Sequence, residues 1–333
     1  MNKKALSIIS LLILLGITIL LSINSNWLTQ INDNVISKFN FSTIFHKQKE
    51  THEEGSIFGV KNKPLISSRF RNLSQLHEFV TIRYQKDYSK LDSIECLNSV
   101  VHLSYRSNEE LINRSMSGGV SQDVVLEIKN TSFINRLEFV LANLSLVRQR
   151  KELEKTYILS RRRPFIFGPN DVTFYDLALT CLYHINTPTL AFKNVRDSSD
   201  KGYINTFNHI TAQAIITSIY SEDFADLIGD LHERSNMPEI TSGRFTVKQL
   251  GDSINSPQDN YIDIINNEIG QKIGLQLKKK YKLSKNTLLT PILLAAFLND
   301  IQSYYMWAFE IGLDIFRPTD DVVIKFANKF NSL

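Results

Sequence analysis

The chain has 333 residues, of which 43% are hydrophobic and 22% are charged, an ordinary composition for a protein that buries a core. Its formal net charge is +4. Without the two N-terminal lysines, Lys3 and Lys4, the charge is +2, which excludes a general electrostatic attraction to nucleic acid. Only two cysteines are present, which excludes a small disulfide-rich protein.

The first predicted element is a transmembrane helix over residues 5–23, a run without any charged side chain. At about 1.5 Å per residue this run covers the roughly 30 Å hydrocarbon core of a bilayer. Lys3 and Lys4 precede it and favour a cytoplasmic N-terminus. A cleaved signal peptide is the alternative, but the run is longer than the roughly 7–15 residues of a signal core. The sequence therefore predicts a single-pass inner-membrane protein with a periplasmic C-terminal domain.

Residues 26–66 mix polar and charged groups without a sustained period, which predicts a tether after the anchor at residues 1–25. A helical domain is predicted over residues 67–200. Within it, helices are expected at residues 76–88 and 108–112, and a short strand at residues 98–105.

Ser121 is a suitable helix N-cap, and a helical stretch is expected from there to about residue 157, interrupted near residues 130–131. A further amphipathic helix is predicted over residues 171–182. The charged loop at residues 193–201 marks the predicted boundary to the next domain.

The C-terminal domain, residues 201–333, is predicted as a multi-helix bundle. Helices are expected over about residues 206–220, 222–235 and 258–281. A last apolar segment, residues 288–316, contains Asp300 and Glu310 and therefore predicts a buried core helix, not a second membrane crossing. The predicted fold class is mainly α: an N-terminal transmembrane helix, then a helical ectodomain ending in this bundle.

Cys96 and Cys181 leave two interpretations open. In an oxidising compartment they can form a disulfide. Otherwise they are separate buried thiols that behave as small apolar side chains.

Three polar clusters lie on neighbouring predicted helices, at residues 205–209, 232–234 and 263–270. His209 shares a helix face with Ala212, Gln213 and Ile216, at helical spacing. His232 borders an apolar stripe in the same way, and Glu233 follows it. These placements predict histidines that are directed toward packed surfaces.

The third cluster places Asp263, Asn267, Gly270 and Gly274 on one face of a helix, because offsets of four, seven and eleven residues return to nearly the same angle. Each glycine lowers helix propensity by about 1 kcal/mol relative to alanine. A face that is small at one end and polar at the other indicates that another backbone packs closely there, bringing Asp263 and Asn267 to a shared polar centre.

Such a centre can perform chemistry in two ways. His209, His232 and Asp263 are suitable ligands for a divalent metal such as zinc, with Glu233 handling the proton of a water molecule. Without metal, a desolvated Glu233 is a general acid with a raised pKa, and His209 or Asp263 is its partner. The structural alternative is a buried hydrogen-bond network. The candidate site residues are His209, His232, Glu233, Asp263 and Asn267.

The clusters together resemble an uncharacterised bacterial domain of unknown function that occurs in surface, secreted and toxin-like proteins. The resemblance covers about residues 205–274 and follows an (Arg/Asn)-His, His-Glu, Asp-x-x-Asn-Asn-x-x-Gly pattern. That family usually has Arg before the first histidine and an acidic residue upstream, where this chain has Asn208 and Asn205. The resemblance implies an α-helical domain and no particular reaction.

Two functions are compatible with these features. The first is a hydrolase-like helical domain in the cell envelope, with peptidoglycan as the polymer within reach of a periplasmic domain. The second is a non-enzymatic envelope scaffold, secretion or immunity factor that binds a protein partner through residues 67–200. An enzyme needs the polar centre to open into a cleft, whereas a scaffold buries it.

Overall fold

The computed structural model describes residues 58–91, 94–252 and 255–333, with side chains for all of these except 86–98. The predicted transmembrane helix at residues 5–23 and the tether up to residue 57 lie outside the described residues. The side chain of Cys96 also lies outside them. Cys181 is a buried, free thiol whose pKa is raised by desolvation.

A three-stranded antiparallel sheet follows the N-terminal part of the described chain. Its strands are β1 (Val80–Leu91), β2 (Ile94–Ser107) and β3 (Glu110–Ser117). They lie side by side in the same order as in the sequence, with β2 in the middle. Along β2, Val101, Leu103 and Tyr105 are buried while the residues between them are partly exposed. This alternation buries one face of the sheet against the helices.

The sheet confirms the strand predicted at residues 98–105 but contradicts the helices predicted at residues 76–88 and 108–112. The turn between β2 and β3 explains the second error. Asn108 and Glu109 have φ values of 46° and 66°, so both central residues of this two-residue hairpin are left-handed, as in a type I′ turn. Such turns usually carry glycine at the second position, and glutamate gives no comparable signal.

One short α-helix precedes the sheet in the described chain, and further α-helices of 4–10 residues lead from the sheet into the second half. Ser121 caps the second of them, accepting a hydrogen bond from the Val124 amide, as predicted. Thr173 and Asp176 form a capping box on the seventh. These helices are α1 (Leu73–Leu76), α2 (Gln122–Glu127), α3 (Phe133–Ala142), α4 (Leu144–Arg148), α5 (Arg150–Leu159), α6 (Pro164–Phe167), α7 (Phe174–Tyr183) and α8 (Pro188–Ala191).

The second half of the chain contains longer helices, and three of them match the predicted segments closely. They are α9 (Tyr203–Ile219), α10 (Glu222–Glu233), α11 (Glu239–Ser242), α12 (Val247–Gly251), α13 (Pro257–Tyr281), α14 (Pro291–Phe309) and α15 (Asp321–Ser332). Helices α9 and α13 lie side by side at the centre, and most of their residues are buried. One continuous apolar cluster extends from Val60 to Phe330.

Two glycines allow α13 to approach α9 closely. A Cβ atom built at Gly270 would lie 2.6 Å from the carbonyl oxygen of Ile210, and one at Gly274 would lie 2.6 Å from that of Ala214. No real Cβ occupies such a position, so only glycine permits this spacing of the two backbones. The predicted close packing at this face is confirmed.

The segment from Val60 to Ile66 is the described end of the predicted tether, and it packs into the core. Asn266 of α13 pairs with the backbone of Leu65: its Oδ1 accepts from the amide at 3.0 Å, and its Nδ2 donates to the carbonyl at 2.8 Å. Tyr304 donates to the Asn62 carbonyl at 2.7 Å. These bonds satisfy backbone groups that burial would otherwise leave unpaired.

Two predictions about the whole chain are therefore corrected. The mainly α fold class, with a transmembrane helix before a helical ectodomain, overlooked the three-stranded sheet. None of the helices that the structure describes combines the length and apolar character needed to cross a bilayer. The fold-class and inner-membrane assignments therefore gain no support from these helices, and the apolar run that motivated them lies outside the described residues.

Candidate functional site

His209 lies at the centre of a polar site between α9, α10 and α13. Its Nδ1 atom lies 2.9 Å from Oδ1 of Asn267, and its Nε2 atom lies 3.4 Å from Oδ2 of Asp263. Both partners come from α13, where a spacing of four residues places them on one face. Both nitrogens of this ring are therefore held by α13.

Glu233, at the end of α10, completes the site from the other side. The Asn267 amide donates to Glu233 Oε1 at 3.4 Å, and the same oxygen lies 3.9 Å from His209 Nδ1. Asn205 on α9 donates to Asp263 Oδ1 at 2.7 Å. The polar side chains thus form one connected network, Asn205, Asp263, His209, Asn267 and Glu233.

The acidic groups of this network are almost fully removed from water. Glu233 is 2% exposed and Asp263 is 6% exposed. Desolvation, with Coulomb repulsion from Asp259 and Asp230, raises the pKa of Glu233 to about 8. Desolvation also raises the pKa of Asp263 well above its usual range, with Asp259 and Glu233 adding repulsion. Without a bound cation, Glu233 is therefore protonated near neutral pH, and its surroundings disfavour ionisation of Asp263.

The same burial lowers the pKa values of the two histidines, whereas it raises those of the carboxyl groups. Burial, with repulsion from His232, lowers the pKa of His209 to about 4. Desolvation, with repulsion from Arg161, also lowers the pKa of His232, although part of its side chain remains open to solvent. Both rings are consequently neutral near pH 7, and a neutral ring is the form that ligates metals.

His209, His232 and Glu233 can each offer one ligand atom such that the three atoms lie within 4.8 Å of one another. Asp263 was predicted as the third ligand and Glu233 as the group that handles the proton. In the structure, Glu233 joins the two histidines, while Asp263 contacts the Nε2 atom of His209. The structure brings the five predicted site residues together. It places Glu233, and not Asp263, in the cluster of possible ligand atoms with the two histidines.

The site opens into a cavity of about 160 Å³. Among the described residues that line it, only Ile204 has an apolar side chain. The lining residues are Tyr175, Asp200, Lys201, Ile204, Asn205, Asn208, His209, His232, Glu233, Asn236, Asn255, Asp259, Asn260 and Asp263. The polar cluster therefore opens into a cavity and is not sealed inside the protein.

Sequence reasoning missed Asp259, which lines the cavity one turn before Asp263 on α13. Asp259 and Asp263 are four residues apart, and this helical spacing could have placed them on the same face. Lys201 and Asp200 were assigned to a charged linker, and nothing in their local sequence indicated that they lie beside the histidines.

A larger cavity, about 380 Å³, lies over the outer face of the sheet, beside Arg83, His102 and Ser115. His102 is already engaged there, with its Nδ1 2.7 Å from Ser115 Oγ and its Nε2 3.1 Å from Gln85 Oε1. The cavity contains no cluster of potential metal ligands among the residues described, so the site between the three helices is the stronger candidate.

Comparison with known proteins identifies no matching family model, no matching curated protein and no matching solved structure. The function must therefore be argued from the site itself.

Replacing Glu233 by glutamine is expected to stabilise the metal-free protein at alkaline pH. The folded protein holds a proton on Glu233 up to about pH 8, whereas an unfolded glutamate ionises near its ordinary value of 4.5. The stability from this group is therefore complete below about pH 4.5 and is lost as the pH rises through about 8. Urea unfolding with a chelator at pH 6 and pH 9 should show a smaller loss for Glu233→Gln than for the wild type.

The matched control is Glu127→Gln, at an exposed glutamate on α2. It should leave the difference between pH 6 and pH 9 unchanged. An equal pH dependence in the wild type and Glu233→Gln would show that Glu233 is not held protonated in the folded state.

Proposed function

We propose that this protein is a metal-dependent hydrolase, with His209, His232 and Glu233 holding a divalent cation such as zinc. The observation that carries the proposal is the convergence of their ligand atoms within 4.8 Å, at the wall of a polar cavity. Two histidines and one carboxylate form a ligand set used by catalytic zinc sites, in which a fourth position is left for water.

The surrounding residues fit this role. His209 Nδ1 is the ring nitrogen nearer Glu233, and Nε2 faces Asp263. Asp263 at Nε2 and Asn267 at Nδ1 fix the orientation of the ring, as outer partners commonly do for metal-binding histidines. A cation bound at Nδ1 would replace the hydrogen bond from Nδ1 to Asn267 Oδ1. Asn267 contacts both His209 and Glu233 and holds the two side chains in position.

A bound cation would supply Lewis acidity and a water molecule with a pKa near 7. The chain would bind the substrate beside that water through the amide and carboxyl groups of the cavity. Hydrolysis in this cavity would form a bond between a water oxygen and an acyl or phosphoryl centre and break the bond to the leaving group, which would take up the water proton. The general-acid alternative, with Glu233 as the donor and no metal, uses the same raised pKa but assigns no role to His232.

The cavity volume restricts the substrate. About 160 Å³ accommodates a small polar group, or one end of a larger molecule, but not an extended apolar ligand. The cell-envelope setting, and peptidoglycan with it, depended on the inner-membrane localisation. We therefore propose a hydrolytic reaction on a polar substrate and do not assign peptidoglycan or another polymer as that substrate.

Zinc uptake by the purified protein tests the proposal. The wild type is expected to bind about one equivalent at the histidine site. His209→Ala, His232→Ala and Glu233→Gln should each weaken zinc binding by at least about 100-fold, and Asp263→Asn, acting through His209, by about 10- to 100-fold. Each variant should remain within about 1–2 kcal/mol of the wild-type free energy of unfolding. A competing chromophoric chelator measures the affinity, and hydrolysis of a panel of polar esters and phosphoesters measures activity.

His77→Ala is the matched control, since His77 is exposed and belongs to α1's C-terminal end, with no part in the site. It should bind zinc as the wild type does. A wild type that binds no divalent metal, together with site variants that fail to fold, would instead identify the network as structural.

A second candidate function is partner binding through residues 67–200. Large apolar side chains protrude into solvent from α3, α4 and α6, and they include Phe133, Ile134, Leu141, Leu144, Phe165 and Ile166. Contiguous exposed apolar side chains are typical of protein interaction surfaces. The zinc experiment separates the two functions, because partner binding through this surface requires neither His232 nor a metal.

A further inference from the structure

An apolar tip, formed by Phe165 and Ile166, protrudes from the short helix α6. Phe165 is fully exposed, Ile166 is 69% exposed, and no residue of α6 is buried. In water these two side chains forgo the stabilisation that burial of large apolar groups supplies. Neighbouring apolar side chains that protrude in this way are typical of a surface that a partner covers.

The base of the apolar tip is fixed to the core. Lys329, which is 2% exposed, donates to the Arg161 carbonyl at 3.0 Å and pairs with Asp171 at 2.8 Å. Asp171 in turn accepts a hydrogen bond from the Arg163 amide at 2.6 Å. The buried lysine thus holds both ends of the arginine triplet at residues 161–163, and the core sets the position of the tip that follows.

The chain around the apolar tip is strongly basic. Residues 128–167, which include α3 to α6, contain nine basic and three acidic residues and carry a net charge of +6, although the whole chain carries only +4. Arg161 and Arg162 shortly precede the tip and are exposed. This arrangement is complementary to an anionic bilayer, in which apolar side chains enter the acyl boundary and guanidinium groups bind lipid phosphates.

The arginines that precede the apolar tip lie beside the cavity of the candidate site. Besides desolvation, repulsion from the Arg161 guanidinium lowers the pKa of His232, so these two side chains are close to each other. Arg162 forms an ion pair with Asp176, and the adjacent Tyr175 lines the cavity. A surface that covers the tip would therefore lie next to the cavity.

We propose that the apolar tip and the arginines before it dock this chain on an anionic lipid bilayer, with the cavity at the membrane surface. Phe165 and Ile166 enter the boundary between head groups and acyl chains, and Arg161 binds lipid phosphates. The docking requires no metal.

The docking also names a substrate class, and this part rests on the proposed hydrolase function. The substrate is the polar head group of a bilayer lipid. A cavity of about 160 Å³, with Ile204 as its only apolar lining residue among those described, accommodates such a head group and leaves the acyl chains outside, against the apolar tip. Water adds across the ester or phosphoester bond as proposed above, and no other co-reactant is needed.

Co-sedimentation of the full chain with lipid vesicles tests the docking. The wild type is expected to bind vesicles of phosphatidylglycerol and phosphatidylcholine, less tightly as salt rises, and to bind pure phosphatidylcholine vesicles at least about tenfold more weakly. Phe165→Ser should weaken binding to the anionic vesicles by at least about tenfold, and Arg161→Gln by about fivefold. Because both side chains are exposed, both variants should unfold in urea as the wild type does.

Leu288→Ser and Lys285→Gln are the matched controls. Leu288 is 64% exposed, Lys285 is exposed, and both follow the C-terminal end of α13, whereas the site lies in its N-terminal half. Each control should change vesicle affinity by less than about threefold.

Two other occupants of the apolar tip give different results. Equal binding by the wild type and Phe165→Ser, or equal binding to both kinds of vesicle, would place the contact elsewhere, such as at the apolar residues 5–23, and overturn the docking. A wild-type dimer that Phe165→Ser dissociates, without vesicle binding, would identify a second copy as the occupant and also overturn it.

Lipid hydrolysis separates the docking from the proposed function. The zinc-loaded wild type should consume a phospholipid of the mixed vesicles, which phosphorus NMR of the extracted lipid measures. Zinc uptake without vesicle binding overturns the docking and leaves the proposed function in place. Docking by a chain that takes up no zinc supports the docking and contradicts the proposed function. Docking without lipid consumption, by a chain that binds zinc and cleaves soluble phosphoesters, overturns the lipid substrate alone.

Discussion

Gly270→Ala is expected to lower the free energy of unfolding by about 3 kcal/mol, the upper part of the range for overpacked cores. The new methyl group would lie 2.6 Å from the Ile210 carbonyl oxygen and 2.9 Å from the Ile210 Cα, both backbone atoms that cannot rotate away. The two central helices must therefore separate, at a cost that exceeds alanine's advantage in helix propensity of about 1 kcal/mol. Urea unfolding measures the loss.

The same separation should affect the site, because Asn267 lies one turn from Gly270 and contacts both His209 and Glu233. We expect zinc affinity to fall in Gly270→Ala although no ligand has changed. Gly251→Ala is the control: nothing lies within 4 Å of a Cβ at that position, so stability should be unchanged or slightly higher. Wild-type stability in Gly270→Ala would contradict the close packing of α9 against α13.

Arg114→Met is the second substitution with a large expected effect. Arg114, on β3, forms ion pairs with Asp226 at 3.1 Å, Asp230 at 2.9 Å and Glu268 at 3.2 Å. Its side chain is only 20% exposed. Removing one partner of a buried ion pair costs about 3–5 kcal/mol because the remaining charges lose their compensation, and we expect about 3 kcal/mol at pH 8.

The loss in Arg114→Met should depend on pH. Desolvation already raises the pKa of Glu268 to about 7 and also raises the pKa of Asp226, and removal of the guanidinium raises both pKa values further. Groups with raised pKa values in the folded state destabilise it increasingly as the pH rises through those values. The deficit relative to wild type should therefore be smaller at pH 5 than at pH 8. Arg106→Met, at an exposed arginine on β2, should show little effect at either pH.

The Arg114 cluster explains how the sheet supports the site. Asp226 and Asp230 lie on α10, which ends at Glu233, and Glu268 follows Asn267 on α13. One arginine from the sheet thereby connects the two helices that supply the acidic and amide groups of the site. None of these contacts is local in sequence, so no spacing rule identified Arg114.

The C-terminal helices were predictable because their signals are local. Apolar residues at helical spacing and side chains suitable for capping occur within each segment, and α9, α10 and α13 appear close to the predicted positions. The sheet was only partly predictable. Its alternating burial becomes apparent only after the strands pair, and the Asn108 and Glu109 turn lacks the glycine that usually marks a hairpin.

The candidate site was also predictable from the sequence only in part. The sequence by itself determined which side chains share a face within one helix, such as Asp263 and Asn267 on α13, because helical periodicity decides this. It also determined the close helix approach at Gly270 and Gly274. Only the tertiary structure decided that Glu233, and not Asp263, joins the histidines, and that Asp259 lines the same cavity. Those assignments depend on the relative positions of three helices, which local spacing along one chain does not encode.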